Sequence, residues 1–210
     1  MRILEHLRWW LGLTPEARSK RAIRGLGLRK TDTVIDCGAN VGEMTAVMAE
    51  GGARVHAFEP NPHACAVLRR KFQSDPHVQI HEAAVHTSDG ALRLYLHENS
   101  GQDEVYWSNG SSLLADKPNV CGERFVEART IDLAAFIAAL PDRVRLIKMD
   151  IEGAEIDVLR HLIETESLTR VDFMFVETHE KKMPWLDAAT SKLKSELAAH
   201  PTCQVRFDWV

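Results

Sequence analysis

The chain has no excess of positive charge: 26 lysines and arginines stand against 30 aspartates and glutamates. A nucleic-acid partner would normally require a basic footprint, so that class is set aside. It has no apolar run long enough to span a bilayer. It has only four cysteines, Cys37, Cys65, Cys121 and Cys203, and no C-x-x-C pair among them. That spacing gives neither a zinc site nor a disulfide framework and predicts a reducing cytoplasm. There is no internal repeat, no low-complexity linker and no G-x-G-x-x-G pyrophosphate loop. The 210 residues have room for one α/β domain with a good core.

The N-terminus carries charges at Arg2, Glu5 and Arg8, which excludes a signal peptide. Ile3, Leu4, Leu7, Trp10 and Leu11 fall on one helical face. Packing on the chain's own domain is the preferred reading of that face. A homodimer contact and contact with a membrane surface are the alternatives.

What is present begins with Thr33-Val34-Ile35-Asp36-Cys37-Gly38-Ala39-Asn40-Val41-Gly42. β-Branched apolar residues run into a glycine turn, which predicts a buried strand with a helix behind it. A second strand, Arg54 to Phe58, ends in the acid Glu59. A glycine turn after one strand and an acid after the next is the layout of a nucleoside-binding α/β domain. The spacing Asp36-x-Gly38-x-x-x-Gly42 puts an acid where a pyrophosphate would be repelled. A cationic group would suit it, such as the α-amino group of S-adenosylmethionine. The motif resembles the first motif of class I S-adenosylmethionine-dependent methyltransferases. The plain alternative is an ordinary strand, turn and helix of an α/β core.

A third motif, Lys148-Met149-Asp150-Ile151-Glu152-Gly153-Ala154-Glu155, follows another apolar strand. Together with D-C-G-A-N-V-G and F-E-P-N-P (Phe58 to Pro62) it resembles the FkbM family of methyltransferases, over roughly residues 31 to 180. The resemblance implies a Rossmann-like class I methyltransferase fold: a mostly parallel twisted sheet with helices on both faces, N-terminal helices and an inserted β-hairpin or loop. It implies S-adenosylmethionine as donor and O-methylation of a small molecule, a sugar or glycan, or a secondary metabolite. Residues 1–30 are then a helical extension and 31–210 the cofactor-binding domain.

Carried onto this sequence, the resemblance gives Gly38, with Asn40 and Gly42 in the same turn, backbone contacts to the methionine part. Asp36 holds the turn or the cofactor's amine. Glu59 takes the ribose hydroxyls, with Asn61 beside it, and backbone near Ala84 meets the adenine. Asp150 lies where cofactor and acceptor meet. Ser112, in the serine-leucine element Ser111 to Leu114, and Glu177 face the acceptor. Acceptors of parallel α/β sheets bind beyond the carboxyl ends of the strands. His179 is therefore the preferred general base, with Asp150 and Glu152 orienting it or binding acceptor hydroxyls. Glu152 could instead cap the following helix. A Mg2+ ion held by Asp150 and Glu177 is the alternative chemistry; magnesium prefers carboxylates and water, and histidine would be an unusual partner for it. A nicotinamide-dependent oxidoreductase and a cofactor-binding subunit without its own activity are the competing functions. RNA methylation lacks support, having neither basic clusters nor an N-P-P-Y motif.

Along the chain, Thr14-Pro15-Glu16 starts a helix that ends near Gly25 and Gly27. Strands over 33–36, 54–58 and 78–81 alternate with helices over 41–50 and 62–73, the pattern of a parallel sheet. Strands over 91–96 and 124–129 flank a polar stretch, 97–122, read as a lid over the acceptor pocket. Helix 132–140, strand 144–149, helix 154–164, strand 171–177, helix 186–199 and strand 203–209 follow. No room remains for a closing antiparallel hairpin, so a shortened sheet edge is expected.

Overall fold

The structure is a computed structural model and describes residues 14–200 and 202–207. The amphipathic face from Ile3 to Leu11, and what it packs on, lie outside the described residues. Helix α1 (Pro15–Gly25) starts where the sequence places it: the Thr14 hydroxyl accepts the Ala17 N–H at 3.2 Å and Pro15 fills the first turn.

The alternation after it builds one six-stranded sheet. Its strands are β1 (Thr33–Cys37), β2 (Arg54–Phe58), β3 (Val78–His81), β7 (Val144–Met149), β8 (Val171–Val176) and β9 (Gln204–Arg206). Their order is β3-β2-β1-β7-β8-β9, and every pair is parallel. The shortened edge is the three-residue β9, which runs parallel to β8.

Successive side chains of a strand face opposite sides, and here each side meets its own helices. Val34, Val55, Leu146 and Phe175 pack with Ile23 of α1 and with Val47 and Met48 of α2 (Glu43–Ala49). Leu68 of α3 (Pro62–Phe72) covers Ala57 nearby. Ile35, Ile147, Met174 and Val176 point the other way. They bury against α4 (Leu133–Ala139), α5 (Glu155–Glu164) and α6 (Asp187–Ala198). The sheet is therefore covered on both faces, which is why its strands read as continuous apolar runs.

The insertion is more than a hairpin. β5 (Gly90–His97) pairs antiparallel with β6 (Val120–Asp132), and β6 pairs parallel with the short β4 (Ala84–His86). This second sheet carries the stretch between β5 and β6, including a 3-10 turn at Tyr106–Gly110, over the carboxyl ends of β1 and β2.

Candidate active site

β1 ends in a turn that only glycine can make. Gly38 has φ +78°, and a Cβ there would lie 1.9 Å from the Asp150 carbonyl oxygen. The close approach lets the Asp150 N–H bond to Cys37 O at 3.1 Å, which locks the ends of β1 and β7 together. Asn40 also has positive φ, at 49°, and so does Glu152, at 58°. Left-handed non-glycine residues are uncommon and gather at functional sites.

A cavity of about 480 Å³ opens over these ends. Gly38, Asn40, Phe58, Glu59 and Ala83 to Val85 form one part of its wall; Asp150, Glu152 and Glu177 form another. His97 and Trp107 stack at 4.4 Å on the inserted side, and Ser108 to Leu113 close the rim. A second cavity, between α1 and the β1–α2 turn, shares Gly38, Asn40, Asp150 and Glu177.

Glu59 is buried. Its two oxygens accept the backbone N–H groups of Asn40 and Asn61, each at 2.8 Å. Burial pushes its pKa up to about 7, against the pull of those donors.

Around the end of β7 the charges are dense. Asp36 is fully buried, accepts the Thr45 hydroxyl at 2.6 Å and lies 3.4 Å from Lys148 Nζ. Lys148 also donates to Gly38 O at 2.7 Å. Burial opposes the lysine's charge, but Asp36 and Asp150 outweigh it and raise its pKa. Lys117 reaches in from the insertion to Glu152 Oε2 at 2.6 Å and to Gly110 O at 2.8 Å. Burial works against the Glu152 carboxylate, yet His179 and Lys117 lower its pKa to about 2.

His179 is buried at 3% exposure. Its Nδ1 lies 3.2 Å from Glu155 Oε1; its Nε2 lies 3.3 Å from Glu152 Oε2, 3.7 Å from Asp150 Oδ1 and 3.9 Å from Glu177 Oε1. Burial disfavours a charged ring, but Glu152 and Glu155 raise its pKa to about 10. Glu177 goes up to about 7, first through burial and then through Asp150.

The family model described as "Methyltransferase FkbM domain" matches residues 36–196. The chain belongs to the FkbM methyltransferase family. "Methyltransferase 1" of Beauveria bassiana is 27% identical over 190 residues, which is 84% of this chain and 75% of that protein. The 2-O-methyltransferase NoeI of Sinorhizobium fredii is 29% identical over 168 residues, 74% of this chain and 67% of NoeI. A crystal structure of an FkbM methyltransferase from Methylobacillus flagellatus KT has a TM-score of 0.48 at 16% identity, covering 80% of this chain and 38% of that one. The chain thus spans well under half the length of that solved protein.

In this FkbM methyltransferase the sequence-predicted residues divide. Gly38, Asn40, Glu59, Ala84, Ser112, Asp150, Glu152 and Glu177 share one cavity wall. Asp36 does not line it; it sits beneath the turn with Thr45 and Lys148. Gly42 starts α2 at φ +82° and packs under Leu68 and Phe72, away from the cavity. Asn61 is the N-cap of α3, with Oδ1 accepting the His63 and Ala64 N–H groups and Nδ2 facing Ser111 Oγ at 3.4 Å. Ser112 spends its hydroxyl on the Glu152 carbonyl at 2.7 Å.

His179, the expected general base, lies among four carboxylates, and Glu152 and Glu155 favour the protonated form of its ring. One expectation is corrected. Glu152 does not cap the helix after β7. The helix start has no side-chain cap; Glu155 lies in its first turn, and its oxygens accept the Ile151 and Gly153 N–H groups of the preceding loop at 2.8 and 2.9 Å.

The sequence reading missed Lys148, Glu155, Lys117 and the His97–Trp107 stack. Lys148 had a signal, a lone charge inside the apolar run Leu146 to Met149. Lys117 had none, because it lies in a polar stretch among other charges. Among the described residues no helix is long and apolar enough to cross a membrane.

Proposed function

We propose that this chain is an S-adenosylmethionine-dependent O-methyltransferase acting on a hydroxyl of a small molecule, a sugar or glycan unit or a secondary metabolite. The observation that carries the reading is Glu59. It is a buried carboxylate on the cavity wall, held by two backbone N–H groups and placed between the Gly38 turn and Ala83 to Val85. Each of its oxygens keeps acceptor capacity beyond one N–H bond, which fits the two hydroxyls of a ribose. Gly38 offers a backbone edge without a side chain, and Ala83 to Val85 offer a flat apolar wall for a base. Both fit the nucleoside end of the donor. The name of the NoeI relative, a 2-O-methyltransferase, supports oxygen as the accepting atom.

When bound, S-adenosylmethionine supplies an already activated methyl group for in-line displacement by an acceptor oxygen. The chain then contributes position, dehydration and a place for the acceptor's proton. Leu94, Trp107 and Leu113 of the insertion add apolar surface to the cavity wall. Asn40 Nδ2 donating to Ser108 Oγ at 3.1 Å ties the insertion to the cofactor turn. Glu177 and Asp150 face the cavity where the acceptor would sit and are its candidate polar contacts.

A thermal-shift series with S-adenosylmethionine, its demethylated product and NAD tests this. A ligand that binds only the folded state at 100 times its Kd stabilises by about 2.7 kcal/mol. The two sulfur nucleosides should raise the melting temperature and NAD should not. The opposite pattern would overturn the reading. A methyl-transfer assay over a glycan panel then identifies the acceptor.

A further inference from the structure

The acids at the ends of β7 and β8 and the ring of His179 converge on one point. Nε2 of His179 lies 3.3 Å from Glu152 Oε2, 3.7 Å from Asp150 Oδ1 and 3.9 Å from Glu177 Oε1. Metal–ligand bonds of about 2.0–2.2 Å space neighbouring donors by about 3.0–3.6 Å around a tetrahedral or octahedral ion. One ligand atom each from Asp150, Glu152 and His179 lie within 4.8 Å of one another.

The hydrogen-bond pattern points the same way. His179 is 97% buried by the complement of its 3% exposure, and both ring nitrogens lack a hydrogen bond, as does Asp150 Oδ1. Buried polar atoms are nearly always satisfied. Two orphans, Nε2 and Asp150 Oδ1, border the same small space. Behind the ring, Nδ1 faces Glu155 Oε1 at 3.2 Å, and Glu155 is itself fixed by two backbone N–H groups. A carboxylate behind the far nitrogen is how proteins orient a ligating histidine. Charge agrees: Asp150, Glu152, Glu155 and Glu177 crowd the point, while Lys117 answers Glu152 and Lys148 is shared between Asp150 and Asp36.

We propose that Asp150, Glu152 and His179, with Glu177 at the rim, bind one divalent first-row transition-metal ion beside the acceptor. One imidazole among carboxylates is a donor set for ions of the manganese-to-zinc series, whereas magnesium selects oxygen and water. The site therefore differs from a magnesium pair at Asp150 and Glu177: histidine is a ligand in it. Asp150, Glu152 and Glu177 line the cavity, so the ion's remaining positions open toward it. There it would hold and polarise an acceptor hydroxyl. That use rests on the methyl-transfer reading above; the binding of the ion does not.

Mn2+ titration of chelator-stripped full-length protein, followed by electron paramagnetic resonance and equilibrium dialysis, tests the site without cofactor or acceptor. The expected result is one Mn2+ per chain, not displaced by a hundredfold excess of Mg2+. His179→Ala and Asp150→Asn should each weaken binding at least tenfold, with circular dichroism confirming that the variants are folded. If one variant fails to fold, the other still decides. No stoichiometric Mn2+ on the wild type, displacement by Mg2+, or unchanged affinity in a folded variant overturns the proposal. Mn2+ binding together with no thermal shift by S-adenosylmethionine would overturn the methyl-transfer reading and leave the metal site standing.

Discussion

Each oxygen of Glu59 already accepts a backbone N–H, from Asn40 on one side and Asn61 on the other, before any ligand arrives. The same carboxylate therefore shapes two turns and presents its remaining lone pairs to the cavity. Glu59→Ala should raise the Kd for S-adenosylmethionine at least tenfold, since hydrogen bonds to a charged group are worth about 1.5–3 kcal/mol each. Calorimetry checks it, and unchanged affinity would remove Glu59 from the nucleoside site. Its identity was legible from its place after the second apolar strand. His179 was legible in position. What the sequence does not show is that Glu152 and Glu155 lie within 3.3 Å of its ring and favour its charged form against the effect of burial.

At the scale of elements, Asn61 shows a motif residue taken up by local structure. Its Oδ1 accepts two N–H groups at the start of α3, the ordinary role of an asparagine before Pro62. Asn61→Ala should cost about 1 kcal/mol in urea unfolding and change S-adenosylmethionine affinity less than threefold. A larger loss of affinity with no loss of stability would make Asn61 a ligand instead. Elsewhere the helices and central strands lie within a residue or two of their sequence-predicted bounds. β6 does not: it runs Val120–Asp132, where alternation marks only 124–129. Val120 and Cys121 are half-buried and Gly122 to Phe125 exposed, and the strand begins where Val120 pairs opposite His97. Such pairing leaves no periodicity to read.

For the whole molecule, stability should depend on pH through a half-buried histidine pair. His56 Nδ1 lies 3.2 Å from His81 Nε2, and both rings pack against Phe136. Burial first, then neighbouring charges, lowers both pKa values, His81 to about 4. In the unfolded chain a histidine titrates near about 6.5. Between about pH 6.5 and 4 the unfolded state therefore takes up a proton that the folded state refuses. Stability from this pair is complete above that window and falls as the pH drops through it. After discounting for partial exposure, the loss for His81 between pH 7 and 5 should be about 1–2 kcal/mol. Urea unfolding at the two pH values checks this. His81→Phe, which keeps a ring against Phe58, should reduce the difference; an equal loss in the variant would rule the pair out.

The sequence by itself determined the parallel sheet, the order of its helices and the glycine turn after β1, because those rest on local signals. Runs of apolar β-branched residues, glycines at forced turns and caps before helices act over a few residues. It also marked Asp150, Glu152, Glu177 and His179, since the carboxyl end of a strand is a position along the chain. Only the tertiary structure decided what those groups are to one another. The distances from His179 Nε2 to three carboxylates, the reach of Lys117 across to Glu152 and the burial of Asp36 under the Gly38 turn all join residues far apart in sequence. Charge state and hydrogen bonding depend on distance in space and on the exclusion of water.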